Sequence, residues 1–181
     1  MIKLNSKQLR LGESKEKKLE VKKQDIYIIL ENVLDTYNVG AIFRLADAVS
    51  AKKVFLCGGT SSPPNPRIKK SSINTTEWVE WEYCETASEA VSRLKREAER
   101  VKVVAIEQSK KSVPYDKFDY SLPICLVVGN ETYGVLKKTL EVVDSVVELP
   151  MYGVNISLNV MVSLGIVLYH VLSKTRGKTF G

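Results

Sequence analysis

NVGAIFR, at residues 38–44, follows a short apolar run and continues into a pattern of apolar residues with helical spacing. Two further stretches repeat this arrangement: GNETYG at residues 129–134, and PM at residues 150–151 with SLNV at residues 157–160. A strand that leads into a helix is the repeating unit of α/β proteins. Because the carboxyl ends of parallel strands meet at one edge of the sheet, we expect the three stretches to form one ligand-binding edge.

Strand-like and helix-like segments alternate along the rest of the chain, which predicts an α/β fold with a mostly parallel six-stranded sheet and helices on both faces. The predicted strands cover residues 26–30, 54–57, 79–83, 102–107, 124–128 and 146–149. The predicted helices cover residues 39–51, 87–101, 135–143 and 157–173. Residues 60–72 contain three prolines and are expected to form a loop.

Composition indicates a globular protein with an anionic partner. The chain has 181 residues, of which 44% are apolar and 27% charged, and its net charge is +6. We expect a cytoplasmic protein, because the N-terminus lacks the apolar core of a signal peptide and no apolar run is long enough to span a membrane. The three cysteines, Cys57, Cys84 and Cys125, form no CxxC pair, so we expect free thiols and no metal site.

Charge distribution suggests three parts: a basic N-terminal arm at residues 1–24, the main domain at residues 25–173 and a basic tail at residues 174–181. The arm is either a solvated surface helix or a contact for an RNA backbone. The cations after the prolines form a second basic patch, which is either part of a solvent loop or a phosphate contact. The expected RNA-binding residues are Lys7, Arg10, Arg67, Lys69 and Lys70.

Several enzyme classes are disfavoured because the chain lacks residues that they require. The GNETYG stretch has the glycine spacing of a phosphate loop, but Val135 and Leu136 stand where lysine and serine or threonine would bind phosphate and magnesium. The first predicted strand is not followed by a GxGxxG dinucleotide motif. His170 is the only histidine and lies deep in the last predicted helix, which argues against a Ser/His/Asp triad.

The order and wording of the three stretches resemble the signature motifs of the SpoU-type (TrmH-like) ribose methyltransferases of the SPOUT superfamily, and the similarity covers about residues 26–172. The resemblance implies transfer of a methyl group from S-adenosylmethionine to a ribose 2′-hydroxyl of structured RNA, with tRNA favoured over rRNA. It also implies a C-terminal trefoil knot and a homodimer formed through the last helix. That helix is apolar nearly all round, which independently favours a partner.

Matching the family's motifs residue by residue implies two groups of site residues. The catalytic candidates are Asn38, Arg44, Glu131, Ser157 and Asn159. The cofactor-binding candidates are Ile106, Glu107, Gly129, Asn130, Leu149, Met151 and Leu158. Asn38 and Ser157 are also good N-caps for the helices that follow them.

Arg44 occupies the position of the family's proposed general base. A guanidinium has a pKa above about 12, so we prefer a role in gripping the adjacent phosphate and orienting the hydroxyl. One departure is Ser50-Ala51, where the family motif usually ends in glycine before the second strand.

Two alternative functions are compatible with the fold. The first is an RNA-binding protein without transfer activity, although the five polar motif residues argue against this loss. The second is a related enzyme that methylates a base, although Arg44 and the stretch Ser157-Leu158-Asn159 favour the ribose.

Overall fold

The computed structural model describes residues 22–175 and, in addition, Gln8. Its strands are β1 (Gln24–Glu31), β2 (Ala51–Cys57), β3 (Trp81–Cys84), β4 (Lys102–Ile106), β5 (Val113–Pro114), β6 (Ile124–Val128) and β7 (Ser145–Glu148). Its helices are α1 (Thr36–Ala48), α2 (Pro66–Ser72), α3 (Ala87–Glu97), α4 (Lys137–Leu140) and α5 (Val160–Thr175), with a short 3-10 turn at Thr75–Glu77.

The strands form one sheet in the order β3-β2-β1-β6-β4-β7-β5, and every neighbouring pair is parallel. This confirms the predicted α/β class, but the sheet has seven strands and not six. The additional strand, β5, consists of only Val113 and Pro114, which pair with Val147 and Glu148 of β7. A strand of two residues is too short to produce a periodic pattern in the sequence.

The two faces of the sheet carry separate hydrophobic clusters, which confirms the prediction of helices on both sides. Side chains of α1, α2 and α5 pack on one face, and side chains of α3 and α4 pack on the other. All five residues of β6 are buried because this strand lies at the centre of the sheet. Burial on both faces explains why the strands appear in the sequence as continuous apolar runs.

The proline-rich stretch is only partly a loop, so the prediction of a loop throughout residues 60–72 is wrong. Helix α2 begins within it: the side chain of Asn65 accepts hydrogen bonds from the backbone N–H groups of Arg67 and Ile68, and Pro66 occupies the first turn. Proline is favoured at this position because the first helical N–H has no intrahelical partner. The basic patch therefore lies on a short, capped helix.

The predicted terminal segments and the predicted knot are not part of the fold described above. Lys7, Arg10 and the arm before residue 22 lie outside the described residues, apart from Gln8, as does the tail after Thr175. The trefoil knot implied by the family resemblance stays a prediction. Within the part of the chain that the structure describes, no helix is both long and apolar enough to cross a bilayer.

Candidate active site

The three sequence motifs meet at the carboxyl edge of the sheet through a chain of side-chain hydrogen bonds. Asn159 Nδ2 donates to Asn38 Oδ1 over 3.0 Å, and Asn38 Nδ2 donates to Glu131 Oε1 over 3.1 Å. These residues lie 121 and 93 positions apart in the sequence. Three of the five catalytic candidates are thus directly connected, with Asn38 in the middle and buried.

The helix caps differ from those expected. Helix α1 is capped by Asp35, whose side chain accepts from Tyr37 N, and Asn38 lies inside the first turn of the helix. For α5, Asn159 accepts from the backbone N–H groups of Met161 and Val162, in the position expected for Ser157. Several neighbouring polar residues are able to cap each helix, so local chemistry alone does not select the residue that does.

Arg44 lies on the exposed side of α1, beyond Asn38 along the same helix. Its guanidinium forms no hydrogen bond or ion pair with any of the described residues. An arginine with a structural role normally has a carboxylate or carbonyl partner. All five donors of this guanidinium are therefore available to an external anion.

The GNETYG loop depends on a close backbone approach at Gly129. A Cβ atom at Gly129 would lie 2.2 Å from the carbonyl carbon of Gly134 and 2.3 Å from Val135 N. The loop closes through two backbone hydrogen bonds between Asn130 and Gly134, of 3.0 and 2.9 Å. Gly134 has φ +67°, in the left-handed region that glycine adopts without strain.

Asn130 organises this loop with its side chain. Its Oδ1 accepts from Thr132 N and Tyr133 N, and its Nδ2 donates to the backbone oxygen of Asn32 over 2.9 Å. Asn32 lies just after β1, so this bond links the loop to the segment that precedes the first motif. The side chain of Asn130 is thus already hydrogen-bonded to the protein, although the residue also lines the adjoining cleft.

A cleft of about 270 Å³ opens between the GNETYG loop, the end of β4 and the loop that precedes α5. All seven cofactor-binding candidates line it, together with the catalytic candidates Glu131 and Ser157. Asn38, Arg44 and Asn159 are not among the lining residues, and Asn38 and Asn159 connect to the cleft through Glu131. The cleft also includes nine residues that sequence reasoning did not single out as cofactor or catalytic candidates, among them Gln108, Tyr133, Ile156 and Ser163.

Gln108 was overlooked although it directly follows two of the predicted positions. Its Nε2 donates to the backbone oxygen of Ile156, which joins the end of β4 to the loop before α5. The signal for this contact is weak in the sequence, because a glutamine after a strand is common and its partner lies 48 positions away.

The basic helix α2 packs closely against α1, which carries Arg44. A Cβ atom at Gly40 would lie 1.9 Å from Ser71 Oγ and 2.9 Å from the backbone oxygen of Ile68. Glycine at this position therefore allows the two helices to approach. Three of the predicted RNA-binding residues are exposed on α2: Arg67, Lys69 and Lys70.

The cysteines are structural in this fold. Cys57, Cys84 and Cys125 are free and buried, and burial raises the pKa of each thiol. Among the described residues there is no group of three or more His, Cys, Asp or Glu side chains able to hold a metal ion.

Comparison with known proteins gives a consistent result. The model of the SpoU rRNA Methylase family matches residues 25–169. A tRNA (guanosine(18)-2′-O)-methyltransferase from Aquifex aeolicus is 35% identical over 155 residues, which cover 83% of this chain and 70% of that protein.

Two solved structures are similar in fold. The Aquifex aeolicus TrmH/SpoU tRNA modifying enzyme aligns with a TM-score of 0.76 and 31% identity, over 93% of this chain and 81% of its own. The AdoMet-bound rRNA methyltransferase from Sinorhizobium meliloti aligns with a TM-score of 0.75 and 28% identity, over 91% of this chain and 59% of its own. The resemblance inferred from the three motifs is thereby confirmed: the chain belongs to the SpoU rRNA methylase family.

Proposed function

We propose that this protein transfers a methyl group from S-adenosylmethionine to a ribose 2′-hydroxyl of structured RNA. The observation that carries the proposal is the hydrogen-bond chain from Asn159 through Asn38 to Glu131, which ends at the cleft. It places polar side chains of all three motifs beside one cavity, with the unpaired Arg44 further along the helix that carries Asn38. The activities of the Aquifex and Sinorhizobium proteins support the same reaction class.

The cleft has the chemical character that S-adenosylmethionine requires. Apolar side chains of Ile106, Leu149 and Leu158 line it and suit a flat adenine ring. The backbone groups of Met151, which also lines the cleft, make no hydrogen bonds within the described part of the chain, so they are free to bind polar atoms of a ligand. These residues would hold the cofactor, which supplies an electrophilic methyl group on a positively charged sulfur.

The protein's contribution to such a reaction is mainly alignment. In such a reaction the 2′-oxygen would bond to the methyl carbon as the carbon–sulfur bond breaks, and the hydroxyl proton would leave to solvent or to a nearby acceptor. Holding the hydroxyl in line with that bond can supply much of the reduction in barrier. We propose that Arg44 binds the phosphate next to the target ribose, while Asn38 keeps Glu131 and Asn159 in place.

The RNA surface is proposed to include α2. Arg67, Lys69 and Lys70 are exposed on this helix, which is held against the helix of Arg44. Cations fixed near Arg44 would bind phosphates close to the target nucleotide. We favour tRNA as the substrate, because the Aquifex relative of 35% identity acts on tRNA, with the basic arm at residues 1–24 as an additional contact.

A homodimer is proposed as the working form, in the cytoplasm where RNA substrates are modified. The loop before α5 and the outer side of α5 leave large apolar side chains exposed, namely Tyr152, Val154, Ile156, Val162, Ile166 and Tyr169. Tyr152 and Val154 are 94% and 102% exposed, and a contiguous exposed apolar patch often marks an interaction surface. Contact with a second copy would remove this surface from water.

The test is a methyl-transfer assay with labelled S-adenosylmethionine on unmodified tRNA and rRNA, followed by nucleoside mass spectrometry. A 2′-O-methylated nucleoside would support the proposal, and the RNA carrying it would identify the substrate class. A methylated base would replace the ribose assignment. Absence of both transfer and cofactor binding would favour an RNA-binding protein without transfer activity.

The role of Arg44 is tested in the same assay with a matched control. Arg44→Ala should abolish transfer while cofactor affinity stays within a few fold, because the guanidinium lies outside the cleft lining. Arg96→Ala removes another exposed arginine, on α3 and the opposite face of the sheet, and should retain activity. A large loss of cofactor binding in Arg44→Ala would show that the arginine is structural.

A further inference from the structure

Two carboxylates flank the GNETYG loop from the strands on either side of it. The loop follows β6, whose neighbours in the sheet are β1 and β4. Glu31 is the last residue of β1, and Glu107 directly follows β4. The side chains of both reach the segment where the loop ends.

Each carboxylate binds one of two consecutive backbone N–H groups. Glu107 Oε2 accepts from Val135 N over 2.8 Å, and Glu31 Oε2 accepts from Leu136 N over 2.8 Å. The second oxygen of Glu107 accepts from Gln108 N, and that of Glu31 accepts from Thr139 Oγ1 over 2.6 Å. Hydrogen bonds to a charged acceptor are stronger than neutral ones, so the loop exit is firmly held.

Glu31 is unusual because it is the one charged side chain that is buried among the described residues, at 3% exposure. No lysine or arginine of the described chain pairs with it. A buried carboxylate without a cation is unfavourable for stability compared with an apolar residue of similar size. Its presence therefore indicates a requirement at this position other than packing.

Gly134 makes room for the other carboxylate. A Cβ atom at Gly134 would lie 2.0 Å from Glu107 Oε2, the oxygen that binds Val135 N. The second glycine of the loop thus has two functions: it adopts a positive φ, and it admits Glu107 to the backbone N–H of the next residue. Gly134 and Glu107 form one structural unit although the glycine lies in the loop after β6 and the glutamate directly follows β4.

We propose that Glu31 and Glu107 form a carboxylate clamp that positions the GNETYG loop, and with it Glu131 and one wall of the cleft. Glu107 then acts as a positioning residue and binds the loop, in place of the direct cofactor contact implied by the family resemblance. The effect on cofactor affinity rests on the proposed function, whereas the hydrogen bonds of the clamp do not.

The chemistry of the partners allows a selective test. In Glu107→Leu, both acceptor oxygens are removed, so Val135 N and Gln108 N both lose their bonds. In Glu31→Gln, the side-chain oxygen can still accept from Leu136 N while the NH₂ group donates to the Thr139 hydroxyl. Glu31→Gln should therefore preserve the clamp, and Glu31→Leu should break it.

The first measurement is amide hydrogen exchange by NMR on the full chain without cofactor. We expect Val135 N–H to exchange at least about tenfold faster in Glu107→Leu, and Leu136 N–H likewise in Glu31→Leu. Glu31→Gln should exchange as the wild type does, and the β6 amides should be unchanged in all variants. The control is Glu141→Gln, which removes the same charge from an exposed residue just after α4.

The second measurement is the dissociation constant for S-adenosylmethionine by titration calorimetry. It should rise about tenfold in Glu107→Leu and Glu31→Leu but stay unchanged in Glu31→Gln and Glu141→Gln. Unchanged exchange at Val135 and Leu136, or faster exchange throughout the protein, would overturn the clamp. Faster local exchange with unchanged cofactor affinity would overturn its link to the cleft. A wild type that binds no cofactor, with exchange as expected, would refute the proposed function and leave the clamp supported.

Discussion

The substitution Gly129→Ala tests whether the cleft depends on close backbone contact at the start of the GNETYG loop. The added Cβ atom would meet three backbone atoms of Gly134 and Val135 at 2.2–2.3 Å. Ordinary van der Waals contact begins about 1 Å further away. Because all three atoms are backbone, the clash cannot be relieved by a change of rotamer, and the loop must move.

The clash can be relieved in two ways, and the cost of each limits the loss of stability that we expect. Keeping the loop closed means overpacking, which typically costs about 1–3 kcal/mol. Opening the loop breaks the two hydrogen bonds between Asn130 and Gly134, at about 1 kcal/mol each. The protein will take the less costly route, so we expect a loss of about 2 kcal/mol in the free energy of unfolding. For a domain of this size that corresponds to a fall in Tm of about 4–8 °C.

The assay is urea unfolding followed by circular dichroism, with cofactor titration in parallel. The matched control is Gly153→Ala, in the loop before α5, where an added Cβ atom has nothing within 4 Å. We expect Gly153→Ala to change stability by less than about 1 kcal/mol, in the stabilising direction if at all. The reasoning would be refuted if both alanine variants unfolded within about 0.5 kcal/mol of the wild type and Gly129→Ala kept full cofactor affinity.

Three further predictions concern single groups. Asn38→Asp replaces the donor to Glu131 with a second carboxylate, so we expect the single-turnover methylation rate to fall about tenfold or more; an unchanged rate would remove the hydrogen-bond chain from the mechanism. Burial raises the pKa of the Cys57 and Cys125 thiols, so a thiol reagent at pH 8 should modify them only after denaturation, and rapid labelling of the native protein would contradict their placement. Burial lowers the pKa of His170, whose ring packs edge-on to Tyr115 and Tyr120; the unfolded state therefore binds more protons, and stability should fall as the pH drops below about 6.5. His170→Phe should weaken this dependence in urea unfolding between about pH 7 and pH 5, and an unaltered slope would assign it to other groups.

Sequence patterns located the strands and the motifs because burial leaves a local signature. The β6 residues Ile124–Val128 are all apolar and all buried, so the run itself predicts a central strand. The prediction that three distant motifs meet also needed only the parallel α/β pattern, since that topology brings strand ends to one edge. Similar reasoning could not detect β5, whose two residues have no periodicity.

The roles of individual polar residues could not be read in the same way. Asn38 and Ser157 were both reasonable N-caps by local chemistry, yet Asp35 and Asn159 have that function. Asn38 instead bonds to residues 93 and 121 positions away. A side chain that is able to cap a helix is equally able to make such a contact, and the local sequence does not distinguish the two.

The fold class, the family and the edge of the sheet where the motifs gather could all be inferred from apolar periodicity and motif sequences, which are local features of the chain. The bonds of Glu31 and Glu107 to two successive backbone N–H groups of one loop are visible only in the folded protein. They depend on distant segments, because a carboxylate acquires its partner from whichever segment the sheet order places next to it. Here that partner lies 28 positions away for Glu107 and 105 for Glu31, beyond the reach of any local pattern.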